Sequence, residues 1–137
     1  MITALIDLMA TFYQSGNPGQ MAVIARAMLA TIPDDIVALQ FLGLALYQLG
    51  RTEAARRVFR RVADRLDRHT PYGPVTTLEP AMATNYREAT QPASRLGDAW
   101  YTIGAILTKF GFQPAAERAF QAAQNSRVGA ATTARPE

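Results

Sequence analysis

Two stretches of this chain carry the same order of residues, and that duplication limits the fold more than any other feature. The first runs Leu39-Gln-Phe-Leu42-Gly43-Leu-Ala-Leu46 and goes on to Gly50, Ala55 and Phe59. The second runs Trp100-Tyr-Thr-Ile103-Gly104-Ala-Ile-Leu107 and goes on to Gly111, Ala116 and Phe120. Every landmark is displaced by the same 61 positions, Leu39 to Trp100, with nothing inserted or lost inside the unit. Such a unit spells a helix, a glycine-closed turn and a second helix. One hairpin cannot bury its apolar face alone, so units of this kind stack on one another. Gly43 and Gly104 mark where the two helices touch most closely, with Ala55 and Ala116 expected opposite them. Small against small lets the axes approach at the close end of the usual ~8–10 Å range. Phe59 and Phe120 are expected to be buried, filling the wider space near the turn to the next unit.

The order of bulky residue, Leu-Gly, aromatic, Ala and Phe resembles the tetratricopeptide repeat (TPR). Leu5 lies 34 positions before Leu39, the period of that family. Residues 2–33 then read as a degenerate first repeat, in which Leu5, Leu8, Phe12 and Gly16 match Leu39, Leu42, Leu46 and Gly50. Met9 replaces Gly43, Met21 replaces Ala55, Ala25 stands in the place of Phe59, and Pro33 supplies a terminal proline. An unrelated amphipathic hairpin is the alternative for this segment. The resemblance implies an all-α, TPR-like α-solenoid of antiparallel helical hairpins. About six main helices would form a right-handed superhelical stack, with repeats over about 2–33, 36–68 and 97–127.

Helical spacing and turn residues predict the individual elements. A helix over 2–14 turns Leu5, Leu8, Met9 and Phe12 inward, and a second over 18–31 packs through Met21, Ala22, Ala25, Met28 and Leu29. Asp34 or Asp35 caps a third over 35–49. Thr52 opens a fourth, running to about Leu66 with Ala55, Phe59 and Val62 inside. Ser94 caps a fifth ending at Phe110, and residues 113–125 form the last. The 61-residue step exceeds the 34-residue period by 27, which places an insertion at about 69–95. Pro71, Gly73, Pro74, Pro80 and Pro92 break its ends, while Leu78 to Ala89 reads as a short helix with Met82 and Tyr86 on one face. An insertion of this length is typically functional or disordered. One role for it is a lid that places Tyr72, Met82 or Tyr86 over the groove. The small, polar tail over 126–137 is expected to fray.

At 137 residues, 49% hydrophobic and 18% charged, the chain reads as a single domain with a packed core. There are no cysteines, and the one histidine, His69, ends a basic helix, where it acts as a C-terminal cation. Gly16-Asn17-Pro18-Gly19 lacks the lysine and length of a phosphate loop, and Asp34-Asp35 suits helix capping better than metal binding. No catalysis, cofactor or metal is therefore expected. The first residues carry no basic region and meet Asp7 early, and no apolar run reaches the ~18 residues of a membrane span. The expectation is a soluble, cytoplasmic protein of bacterial type. Net charge is +3, with 13 arginines and a single lysine, Lys109. That skew reads either as anion recognition or as the coding bias of a GC-rich genome.

By resemblance, the first helix of each hairpin lines a concave groove. Its exposed face would present Ile6, Ala10 and Tyr13, then Gln40, Leu44, Tyr47 and Gln48, then Asp98, Tyr101, Ala105, Thr108 and Lys109. Of these, Ile6, Tyr13, Gln40, Leu44, Tyr47, Gln48, Tyr101 and Thr108 are the expected contacts to a partner peptide or helix. Tyrosine rings supply contact area and glutamine amides bond to a peptide backbone. Tyr13 and Tyr47 should stack on one wall; the alternative is that they bridge adjacent repeats. The carboxylate clamp of TPR co-chaperones is absent, since the matching positions carry Ile6, Ala10, Phe41, Asp98 and Thr102. A second surface is the Arg-rich helix 51–68, where Arg57, Arg60, Arg61, Arg65 and Arg68 form an exposed stripe for an acidic or nucleic-acid partner. Its alternative is a solvated face with Glu53–Arg57, Arg60–Asp64 and Asp64–Arg68 as local pairs. The function expected is a non-catalytic protein–protein interaction or scaffold module, with nucleic acid the less favoured partner. A regulatory or docking domain of a larger enzyme is another reading. Self-association through an unsealed last helix (Ala115, Ala119, Ala122) is a third.

Overall fold

The computed structural model describes residues 2–68, 89 and 96–134, with side chains over 4–65, 89 and 96–125. Within these residues lie six α-helices and no strand. They are α1 (Ile2–Gln14), α2 (Pro18–Thr31), α3 (Ile36–Gln48), α4 (Thr52–Arg68), α5 (Gly97–Phe110) and α6 (Gln113–Ala134). The helices pack in consecutive pairs, α1 on α2, α3 on α4 and α5 on α6. Further contacts of α2 with α3, α3 with α5 and α4 with α6 join the pairs.

All three hairpins close in the same way. Gly16, Gly50 and Gly111 adopt φ of 73°, 82° and 86°, a left-handed conformation that favours glycine. The residue after each glycine returns its N–H to a carbonyl five positions back: Asn17 to Phe12 (2.8 Å), Arg51 to Leu46 (2.9 Å) and Phe112 to Leu107 (2.9 Å). Each glycine N–H bonds three positions back, to Tyr13, Tyr47 and Thr108. These bonds satisfy the carbonyls that end a helix, in the Schellman arrangement. The next helix then starts one residue later in each hairpin, with Asn17, Arg51 and Phe112 accepting from Met21, Ala55 and Ala116. The turn between the first and second hairpins is different. Asp34 sits at φ 63°, and the Asp35 carboxylate caps α3 by accepting the Ala38 N–H at 3.0 Å. Asp35 is fully buried, so its loss is felt. Asp35→Ala is expected to lower stability by about 1–2 kcal/mol and Asp35→Asn by far less, measured by urea unfolding.

The glycine on the first helix of each later hairpin does not face an alanine, as the sequence suggested, but the phenylalanine ring. A Cβ placed on Gly43 would lie 2.6 Å from Phe59 Cζ, and one on Gly104 would lie 2.7 Å from Phe120 Cδ1. The missing side chain makes room for a ring, and Phe59 is accordingly fully buried. Phe120, expected to be equally buried, is only partly covered, because it belongs to the last helix and is flanked by the exposed Tyr101, ring centroids 5.4 Å apart.

The core gathers around α3, which is buried without interruption from Ile36 to Leu46. A helix apolar on all sides belongs inside, and Gln40 is the one polar residue in that run. On helix α1, Met9 is buried and Leu5 and Phe12 pack against the core as expected, but Leu8 is 41% exposed, and Ile6 and Ala10, expected to face a groove, are buried. Ala115, Ala119 and Ala122, expected to be open for self-association, are buried. At the ends of elements, α5 starts at Gly97 with Leu96, not Ser94, at its N-cap position, and no side chain caps it. Helix α6 continues beyond the expected stop at 125 to Ala134; Ala130, Ala131 and Ala134 favour helix, and Gly129 costs only about 1 kcal/mol against them. Of the insertion, only Ala89 lies among the described residues. It is helical and buried, and its carbonyl accepts the Trp100 Nε1–H at 2.8 Å. Tyr72, Met82 and Tyr86 lie outside the described residues, as do His69 and Ser94.

Candidate partner-binding site

The open groove expected along α1, α3 and α5 is closed over much of its length. Tyr13 on α1 reaches across to Thr102 on α5, hydroxyl to hydroxyl at 3.0 Å. Beneath them Ile6, Ala10, Gln40 and Leu44 are buried, so none of these four presents a surface to a partner. Gln40 turns its amide back on its own helix, Nε2 donating to the Ile36 carbonyl at 3.3 Å. Its Oε1 is buried with no hydrogen-bond partner among the described residues. The physical reason is the largely apolar α3, which α2, α4 and α5 cover more favourably than water does.

Tyr47, one repeat along from Tyr13, also bonds to α5. The Lys109 ammonium donates to its hydroxyl at 3.0 Å and lies 5.7 Å from the centre of its ring. The Phe110 ring meets it edge-on at 5.9 Å. Tyr47 thus bridges adjacent hairpins, the alternative given for it, whereas Tyr13 joins the first hairpin to the third. The hydrogen bond to Tyr47 raises the Lys109 pKa above the usual lysine value.

Among the described residues, a cleft of ≈ 520 Å³ stays open between the end of α3 and the outer side of α5. Ala105 and Ile106 form an apolar floor, Tyr47 one wall, and Gln48, Thr102, Thr108 and Lys109 the polar rim. Of the expected contacts, Tyr47, Gln48 and Thr108 line it. Thr108 keeps its hydroxyl on the Gly104 carbonyl at 2.9 Å. Tyr101 is exposed on α5 but does not line the cleft. Thr102 and Ile106 went unnoticed as candidates. Ile106 follows the apolar pattern of the helix core, and Thr102 stood out only as a position lacking a clamp residue.

The arginine surface is partly engaged within the molecule. Arg57, Arg60 and Arg61 are exposed on α4, and Arg65 is half-buried. Arg61 pairs with Asp34 across the turn before α3. Glu53 pairs with Arg56 at 3.5 Å, where the sequence pointed to Arg57. The Arg56 guanidinium lies over the Phe110 ring at 4.7 Å, and Arg60 lies over Phe112 at 5.5 Å. The Arg68 side chain, and with it the Asp64–Arg68 pair, lies outside the described residues.

Among the described residues, no group of three or more His, Cys, Asp or Glu side chains is placed to hold a metal ion. No helix among them is long and apolar enough to cross a membrane. No protein-family model matches the chain, and no curated protein is significantly similar to it.

Proposed function

We propose that this chain is a non-catalytic protein–protein interaction module, a TPR-like stack of three hairpins that takes a peptide segment of a partner between α3 and α5. The cleft carries this reading. It is the size of a small-ligand pocket, apolar on its floor and polar on its rim, as peptide sites are. Thr102 to Lys109 spans two turns of α5, about 10 Å, which suits about three extended residues. The kinship to TPR proteins is supported by the three matching glycine turns and by the two Gly–Phe contacts at equivalent positions. The site differs from a full TPR groove in being confined to one end, because Tyr13 and Thr102 close the rest.

A displayed peptide library panned on the whole chain tests the reading. Selected peptides are expected to lose at least about tenfold in affinity, about 1.4 kcal/mol, on Ala105→Trp, which fills the cleft. Gln20→Arg, on the exposed side of α2, should leave them unchanged. Enrichment that is absent, or indifferent to Ala105→Trp, overturns it.

A further inference from the structure

We infer that the outer face of α4 is a second, separate docking surface, and that its occupant is an acidic helix of a partner protein. This does not rest on the cleft. The starting observation is a contrast between two helices in equivalent places. The exposed side of α2 carries Val23, Ala27 and Ala30 with one charge, Arg26. The exposed side of α4 carries Arg57, Arg60 and Arg61, with Glu53 and Asp64. Solvation alone therefore does not demand a charged outer helix in this fold, and the arginines of α4 call for a separate cause.

Their setting shows how they would act. Arg56 and Arg60, one turn apart, place their guanidinium carbons 4.7 and 5.5 Å from the ring centres of Phe110 and Phe112, the two rings that flank Gly111 in the last hairpin turn. A guanidinium fixed by a ring loses less freedom on binding and keeps its in-plane N–H groups for bidentate contacts. Arg57 stands beside them, exposed. Carboxylates on one face of a helix recur every three or four residues, about 5–6 Å apart, the spacing of Arg56, Arg57, Arg60 and Arg61 along α4.

The same features disfavour nucleic acid. Binding of single strands relies on aromatic faces on which bases stack, and here arginines cover a face of Phe110 and of Phe112. The ion pairs formed within the chain, Arg56 with Glu53 and Arg61 with Asp34, already show carboxylates meeting these guanidinia.

The test uses the whole chain and two fluorescein-labelled probes, read by anisotropy. One is a helical peptide with glutamates at every third and fourth position; the other is single-stranded oligo-dT of similar length. The acidic peptide is expected to bind and to weaken as salt rises from about 50 to 200 mM, since exposed charges are screened. Arg57→Glu with Arg60→Glu should weaken it at least about tenfold, about 1.4 kcal/mol, while Arg26→Glu on the other outer helix leaves it unchanged. Arg57→Gln alone, at an exposed position, gives a smaller loss in the same direction if the double variant folds poorly. Absence of peptide binding, or binding indifferent to Arg57 and Arg60, overturns the inference. So does tighter binding of oligo-dT with a steep salt dependence, which would assign the face to nucleic acid.

Discussion

Phe59→Ala is expected to destabilise the protein by about 3–5 kcal/mol, as loss of a fully buried ring does. The ring has no exposed surface and lies on Gly43, whose absent Cβ would stand 2.6 Å from Cζ and 2.8 Å from both Cε atoms. On its own, Gly43→Ala drives a methyl into that ring. Overpacking of this kind costs about 1–3 kcal/mol, offset by about 1 kcal/mol of helix propensity. With Phe59 already truncated, the clash is gone and the methyl enters the vacated space. The same Gly43→Ala step is then expected to stabilise. The double-mutant cycle should show a favourable coupling of about 1–3 kcal/mol, within the range for residues in contact. The equivalent pair on the last hairpin, Gly104 and Phe120, should couple more weakly. Phe120 is only partly buried and can move outward to make room. Urea unfolding of the four variants at each site measures both cycles, and simple additivity at Gly43 and Phe59 would contradict the contact.

That pair also shows where sequence reasoning reached and where it stopped. Gly43 announced a close approach of two helices, because only a missing side chain explains a glycine inside so apolar a helix. Which residue approached was not legible, since alanine and phenylalanine both lay on the facing helix. The turns were fully legible: Gly16, Gly50 and Gly111 act locally, through φ and hydrogen bonds spanning five residues. The groove was not. Helix α1 keeps Leu5, Met9 and Phe12 on the core and buries Ile6 and Ala10 as well, while Tyr13 bonds to Thr102 across 89 residues, a contact that no local spacing announces. One signal was present and unused. From Ile36 to Leu46 only Gln40 is polar, and a helix without a polar face cannot line an open groove. On α4 the helical period correctly placed Arg57, Arg60 and Arg61 outside. Periodicity says nothing of partners fifty residues away, so the rings under Arg56 and Arg60 stayed hidden.

Trp100→Ala should be comparably damaging, at about 3–5 kcal/mol, and Trp100→Phe separates its two contributions. Trp100 is the only tryptophan of the chain and is 1% exposed. Its ring meets Phe41 of α3 edge-on, centroids 5.3 Å apart and planes at 78°, so it fastens the last hairpin to the central helix. Its Nε1–H bonds to the Ala89 carbonyl at 2.8 Å, tying a residue of the preceding segment to α5. Phenylalanine keeps an edge for Phe41 but has no donor, and it leaves a buried carbonyl short of a partner at about 1–3 kcal/mol. The native emission should be shifted to the blue, as for an indole out of water, and should move to the red on unfolding. Because both variants lose this signal, their stabilities are compared by circular dichroism in urea. A ring contribution alone would make Trp100→Phe nearly silent. A loss above about 1 kcal/mol assigns the remainder to the bond with Ala89. That bond acts alongside the burial of Ala89 and Leu96, the described residues between α4 and α5, in the folded core.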